Sequence, residues 1–124
     1  MHSAGAALMQ ALPATKVTGT VRVPMKTLDT LYGELALEGK SVFVKIDTQG
    51  FEMPILRGAP ESLRKIKGLQ IEMSLFELYK GETMFDEIIA FLKSAGFTPH
   101  MLVETNFSRH LNRQLQIDGI FYKE

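Results

Sequence analysis

Lys45-Ile46-Asp47-Thr48-Gln49-Gly50-Phe51-Glu52 follows directly on Val42-Phe43-Val44, so a short apolar run ends in two carboxylates separated by one tight turn. A continuous apolar run of this length has the pattern of a parallel strand buried on both faces. Gly50 supplies the backbone freedom the turn needs. Asp47 then falls at the carboxyl end of the strand, the rim where open α/β sheets hold their ligands. Pro54 suits the first position of a following helix, which puts Glu52 just outside that helix's N-terminus, an end that favours negative charge. Two readings of the pair stand side by side: caps of a turn and a helix, or the centre of a site.

Working outward, Val17, Val21 and Val23 alternate with Thr18, Thr20 and Arg22 as a half-exposed strand would, with Gly19 as a bulge. Thr27 precedes Leu28, Leu31, Tyr32 and Leu35 at helical spacing, predicting a short helix capped by a hydroxyl. Beyond the central strand, residues 54–57 give one turn broken by Gly58, residues 60–66 restart a helix that Gly68 ends, and residues 69–74 form the next strand. Thr83 with Asp86 makes a capping-box pattern. The apolar face of Phe85, Ile88, Ile89 and Leu92 continues to Gly96, where Phe97 is placed to touch Leu92. Residues 97–103 read as a strand, 104–113 as a polar loop and 115–122 as a last strand.

The chain has 124 residues, of which 45% are hydrophobic, enough for one core and one domain. Residues 1–16 read as a terminal stub, with the apolar stretch 4–12 either a helical end or a vector-influenced one, and residues 17–124 as the domain. That stretch lacks the charged start of a secretory signal, and no segment has the length of a membrane span, so a cytoplasmic location is expected. Net charge is zero and the basic residues form no stripe, which argues against nucleic acid. The absence of cysteine excludes a disulfide scaffold. His2, His100 and His110 have no partner at metal-ligand or triad spacing.

Four motifs in order carry a resemblance: Lys45, Ile46, Asp47, Gln49, Gly50 and Glu52; then Leu56, Gly58 and Ala59; then Ile71, Glu72 and Tyr79; then Gln116 and Asp118. Together they resemble the C-terminal half of FkbM-type methyltransferases. The resemblance implies an α/β fold holding the C-terminal strands of a Rossmann-like methyltransferase sheet, with the last strand antiparallel and inserted beside the 69–74 strand. It implies S-adenosylmethionine as cofactor and in-line methyl transfer to the hydroxyl of a sugar or secondary metabolite. The glycine-rich turn expected to hold that cofactor has no counterpart, since no G-x-G occurs in the chain. The expectation is therefore a domain without its cofactor-binding half, and its cofactor-binding residues stay unassigned.

An antiparallel last strand brings Asp118 to the rim shared by Asp47 and Glu72. Asp47 and Glu52 are the expected catalytic pair, orienting or deprotonating the acceptor, and Glu72, Tyr79 and Asp118 are the expected substrate contacts. Clustered carboxylates raise one another's proton affinity, which tunes one of them for base work. A hydroxyl-bearing small molecule is the expected partner, and no metal is assigned, a carboxylate-metal hydrolase being the weaker alternative. A second class of reading is a catalytically incompetent remnant serving as a binding or assembly module. Lys45, on the same strand face as Asp47, is expected to be buried and ion-paired with Asp47 or Glu72. Without a neighbouring first strand, the edge of residues 42–47 is expected either to self-associate or to be covered by residues 18–23.

Overall fold

The computed structural model describes residues 18–124, so the terminal stub and Val17 lie outside the described residues. Helix α1 spans Leu28–Glu34, strand β1 Phe43–Ile46, helix α2 Glu52–Arg57, helix α3 Pro60–Lys65, strand β2 Gly68–Ser74 and helix α4 Phe85–Ser94. Strands β3 (Phe97–Glu104), β4 (Phe107–Ser108), β5 (Arg113–Gln114) and β6 (Gln116–Lys123) complete the order. The main sheet runs β1-β2-β6-β3, and β4 and β5 form a separate two-stranded ribbon. β1 and β2 are parallel, Phe43 opposite Gly68 and Ile46 opposite Ile71. β6 is antiparallel to β2 and places Asp118 opposite Glu72. The fold is a mixed α/β sheet compatible with a partial Rossmann-like methyltransferase fold, and the inserted antiparallel strand lies where the sequence motifs put it.

Alternation along the strands divides the sheet into two unlike faces. Ile46, Leu69, Ile71, Met73, Phe97 and Phe121 form one buried core with Met53 and Leu56 of α2, Leu63 of α3, and Ile88 and Leu92 of α4. The other face carries Phe43, Lys45, Gln70, Glu72, Asp118, Ile120 and Tyr122, each half-buried or exposed. Gly119 marks the packed face from within, because a Cβ there would meet Met73 and Phe121 at 2.6 Å. Among the described residues, the helices thus cover one face only.

Several local expectations change. Residues 18–27 form no strand, and Val21 is 78% exposed, because no neighbour offers their backbone a ladder. They do not pair with β1, whose one strand partner among the described residues is β2. Among those residues β1 is therefore an edge strand and not one buried on both faces; Phe43 is 45% exposed. Lys45 is exposed on the open face and forms no ion pair among the described residues, so burial exacts no partner from it. Glu52 is the first residue of α2 and not outside it, with Pro54 two positions later. At α4 the N-cap is Met84 without a side-chain bond, so Thr83 and Asp86 do not close the capping box. The other end behaves as read: Gly96 takes a left-handed φ of 93° and its N–H donates to the Lys93 carbonyl.

α3 is capped from outside its own sequence. Ala59 at its N-cap has no side-chain acceptor, and Asp29 of α1 takes that role, accepting from Ser62 N at 2.7 Å, Ser62 Oγ at 2.6 Å and Glu61 N at 3.2 Å. Partial burial opposes the charge on Asp29, but the bonds from Ser62 and Glu61 and the charge of Lys65 outweigh it and hold the carboxyl below its usual range. Asp29→Ala leaves these donors without their acceptor and should lower stability by about 1–2 kcal/mol. Chemical denaturation measures the loss, and Asp29→Asn, which keeps one acceptor, should recover part of it.

Candidate active site

At the end of β1 the chain must reverse within a few residues to enter α2. Gln49 and Gly50 both adopt left-handed backbone, with φ of 53° and 98°. Gly50 has a second constraint, since a Cβ there would lie 2.6 Å from Cβ of Tyr79. The turn is tied by Glu52, whose buried carboxylate accepts from Thr48 N at 2.9 Å, Thr48 Oγ1 at 2.8 Å and Gly50 N at 3.1 Å. Burying a carboxylate is costly unless its oxygens are satisfied, and these three donors together with the first turn of α2 supply that. Of the two sequence readings of Glu52, the bracing geometry is the one these bonds describe.

The turn leaves Asp47 exposed at the rim, one residue beyond the Ile46–Ile71 pair and therefore level with Glu72. A protonated Glu72 carboxyl can donate to the Asp47 carboxylate beside it, which favours the protonated form. Asp118 faces Glu72 across the β2–β6 ladder and accepts from Gln70 Nε2 at 2.7 Å. Burial first, then the charge and hydrogen bond of Asp47, then the charges of Asp118 and Glu52, raise the Glu72 carboxyl to about 7. All four rim carboxylates named from the sequence are thus brought together, and Glu72 is the one tuned to exchange a proton near neutrality.

Tyr79 closes the rim from the loop after β2. It is buried, and burial, followed by the charges of Glu72, Glu82, Glu52 and Asp47, pushes its phenol up to about 12. It stays protonated at neutral pH and offers a hydrogen bond, not a base. Its position is set by Glu82, which sequence reading did not single out. The buried Glu82 carboxylate accepts from Leu78 N at 2.8 Å, Tyr79 N at 3.0 Å and Ser74 Oγ at 2.7 Å. Gln116 reaches the same Ser74 Oγ at 3.4 Å and accepts from Asn106 Nδ2. An acidic residue two positions past the Tyr-Lys pair was the available signal, but nothing in its spacing tells a folded-back brace from a surface charge.

Residues 2–99 match the family described as the methyltransferase FkbM domain. The chain belongs to the FkbM methyltransferase family. No curated protein and no solved structure matches it. The cofactor that this family implies, S-adenosylmethionine, needs close backbone approach around its adenosine and methionine portions, which clustered glycines allow. The two crowded glycines near the rim are packing glycines: the Cβ space of Gly50 is taken by Tyr79, and that of Gly119 by Met73 and Phe121 at 2.6 Å. The described residues therefore do not fit a cradle for that cofactor. Among them, no group of three or more ligating side chains is placed to hold a metal ion. No helix among them is long and apolar enough to cross a membrane.

Glu72 makes the FkbM domain's stability depend on pH. A carboxyl raised from 4.5 to about 7 binds its proton more tightly folded than unfolded. Its contribution is fully present below pH 4.5 and is lost as pH rises through 7. The full shift would correspond to about 3 kcal/mol, and half-exposure reduces it to about 1–2 kcal/mol. Denaturation midpoints of Glu72→Gln should accordingly fall less between pH 5 and 8 than those of the parent chain, by about that amount. Equal slopes for the two proteins would refute the assignment.

Proposed function

We propose that the rim is the acceptor side of an O-methyltransferase site, taking the hydroxyl of a sugar or a secondary metabolite, and that the protein works in the cytoplasm. The observation that carries this reading is the Glu72 carboxyl, raised to about 7 beside Asp47 and Asp118 in a member of a methyltransferase family. S-adenosylmethionine is the methyl donor the family implies. The acceptor hydroxyl would be oriented by Asp47 and Asp118 and would pass its proton to an oxygen of ionised Glu72 as the oxygen becomes nucleophilic. Tyr79, held protonated, would donate a hydrogen bond to a second acceptor oxygen. Glu52 contributes by fixing the turn that presents Asp47, so its role in this reading is positioning.

Transfer of a labelled methyl group to hydroxylated acceptors, assayed on the polypeptide as its gene encodes it, tests the reading. Glu72→Gln should lower kcat by about 100- to 10,000-fold, the usual contribution of a general base, and should remove the rise of rate with pH around 7. Glu52→Gln should cost stability as well as rate. Full activity in Glu72→Gln would exclude the base, whatever the acceptor. Calorimetric titration of S-adenosylmethionine into the 124-residue chain should show little or no binding. Saturable micromolar binding there would mean that the donor's seat lies among these residues after all.

A further inference from the structure

Both peptide groups of Tyr79 are bonded to a single residue. The Tyr79 N–H donates to Oε2 of Glu82 at 3.0 Å, and the Tyr79 carbonyl accepts from Glu82 N at 3.1 Å, closing a four-residue turn in which Gly81 takes a left-handed φ of 77°. Leu78 N donates to the same Oε2 at 2.8 Å. The other oxygen, Oε1, accepts from Ser74 Oγ at 2.7 Å. A carboxylate can only accept, so the hydroxyl proton of Ser74 is committed to it, and Gln116 Nε2 reaches Ser74 Oγ from another side at 3.4 Å. Glu82 therefore clamps the backbone of Tyr79 with one oxygen and grips β2 with the other.

Ser74 stands two residues after Glu72, so strand alternation puts both on the same sheet face, about 7 Å apart along β2. The Tyr79 loop is thereby referenced to the strand that carries the proposed base. Its side chain has no room to drift, since it fills the Cβ space of Gly50 and packs with the buried Leu78 and Leu115. Among the described residues no group bonds the Tyr79 hydroxyl, and no buried side-chain oxygen lacks a partner, so the hydroxyl opens to the surface from an otherwise buried residue. We infer, resting on the acceptor-side reading above, that Glu82 is a positioning residue of the transfer, holding the Tyr79 hydroxyl at a fixed place relative to Glu72. It governs how the acceptor is seated, while the proton passes to Glu72.

Seating and chemistry separate in the kinetics of the polypeptide as its gene encodes it. Glu82→Gln keeps the shape but leaves one carbonyl oxygen where two served, and should raise the acceptor KM about 10-fold, the worth of one hydrogen bond, with kcat far less affected. Tyr79→Phe should do the same, and the two substitutions together should raise KM no more than either alone, as expected when one acts through the other. In the same protein, nuclear Overhauser contacts between the Tyr79 ring and the Gly50 α-protons should weaken in Glu82→Gln. Ser74→Ala, which releases only the grip on β2, should shift both readouts the same way by less, and it serves if Glu82→Gln does not fold. Multiplicative KM effects, or a loss confined to kcat, overturn the inference by making Glu82 merely structural. Unchanged Overhauser contacts in both variants overturn the clamp itself. A parent protein without methyl transfer overturns the acceptor-side reading, and with it the role, whatever the contacts show.

Discussion

The Glu52 carboxylate is the constraint on which the rest of the rim depends. It takes three hydrogen bonds from a turn of two left-handed residues, and without them the end of β1 has no reason to reverse where it does. Because the reversal is fixed, Gly50 comes hard against Tyr79, which couples the turn after β1 to the loop after β2. Glu82 and Ser74 carry the coupling to Gln116 at the start of β6. Two buried acids, each saturated by backbone donors, thus hold the three segments that converge on the proposed site. With their oxygens engaged in these bonds, Glu52 and Glu82 serve as braces, and the proton transfer proposed above is assigned to Glu72 instead.

That division follows from position in the sheet. Glu72 lies within a strand, flanked by Asp47 on one side and Asp118 on the other, and its neighbours are fixed by ladder register. Among the described residues no backbone N–H donates to it, and desolvation and like charge raise its proton affinity. Asp118 differs in having the Gln70 amide as donor at 2.7 Å.

The architecture was legible in the sequence because it rests on periodicity and punctuation. The helix after Thr27, the strands at residues 69–74 and 115–122, and the left-handed Gly96 are local signals, and each is where the pattern puts it. Convergence of Asp47, Glu72 and Asp118 was legible through the family resemblance, which implied the antiparallel last strand. What stayed hidden depends on neighbours. Val42-Phe43-Val44 has the composition of a central strand, but composition does not say whether a second strand is present, and among the described residues β1 is an edge. Among them, too, Lys45 is exposed and residues 18–23 have no ladder. Asp29, thirty-two residues before Glu61, caps a helix it does not precede, which no capping rule based on adjacent sequence anticipates.

The one-sided covering of the sheet bears on chemistry as well as packing. The face that carries Glu72 and Asp118 has no helix over it among the described residues, which leaves that side of the rim to the proposed acceptor, while the apolar face is covered by α2, α3 and α4. Glu72 is nevertheless desolvated enough to hold a proton near neutrality, with Tyr79 and the braced turn within electrostatic reach of it. Shifting either support changes that balance directly. A turn loosened at Glu52 would let water reach Glu72 and move Asp47 away, and both changes lower the proton affinity of Glu72 towards that of an ordinary surface carboxylate. The brace therefore sets the acidity of the site as well as its shape, although it need never touch the reacting oxygen.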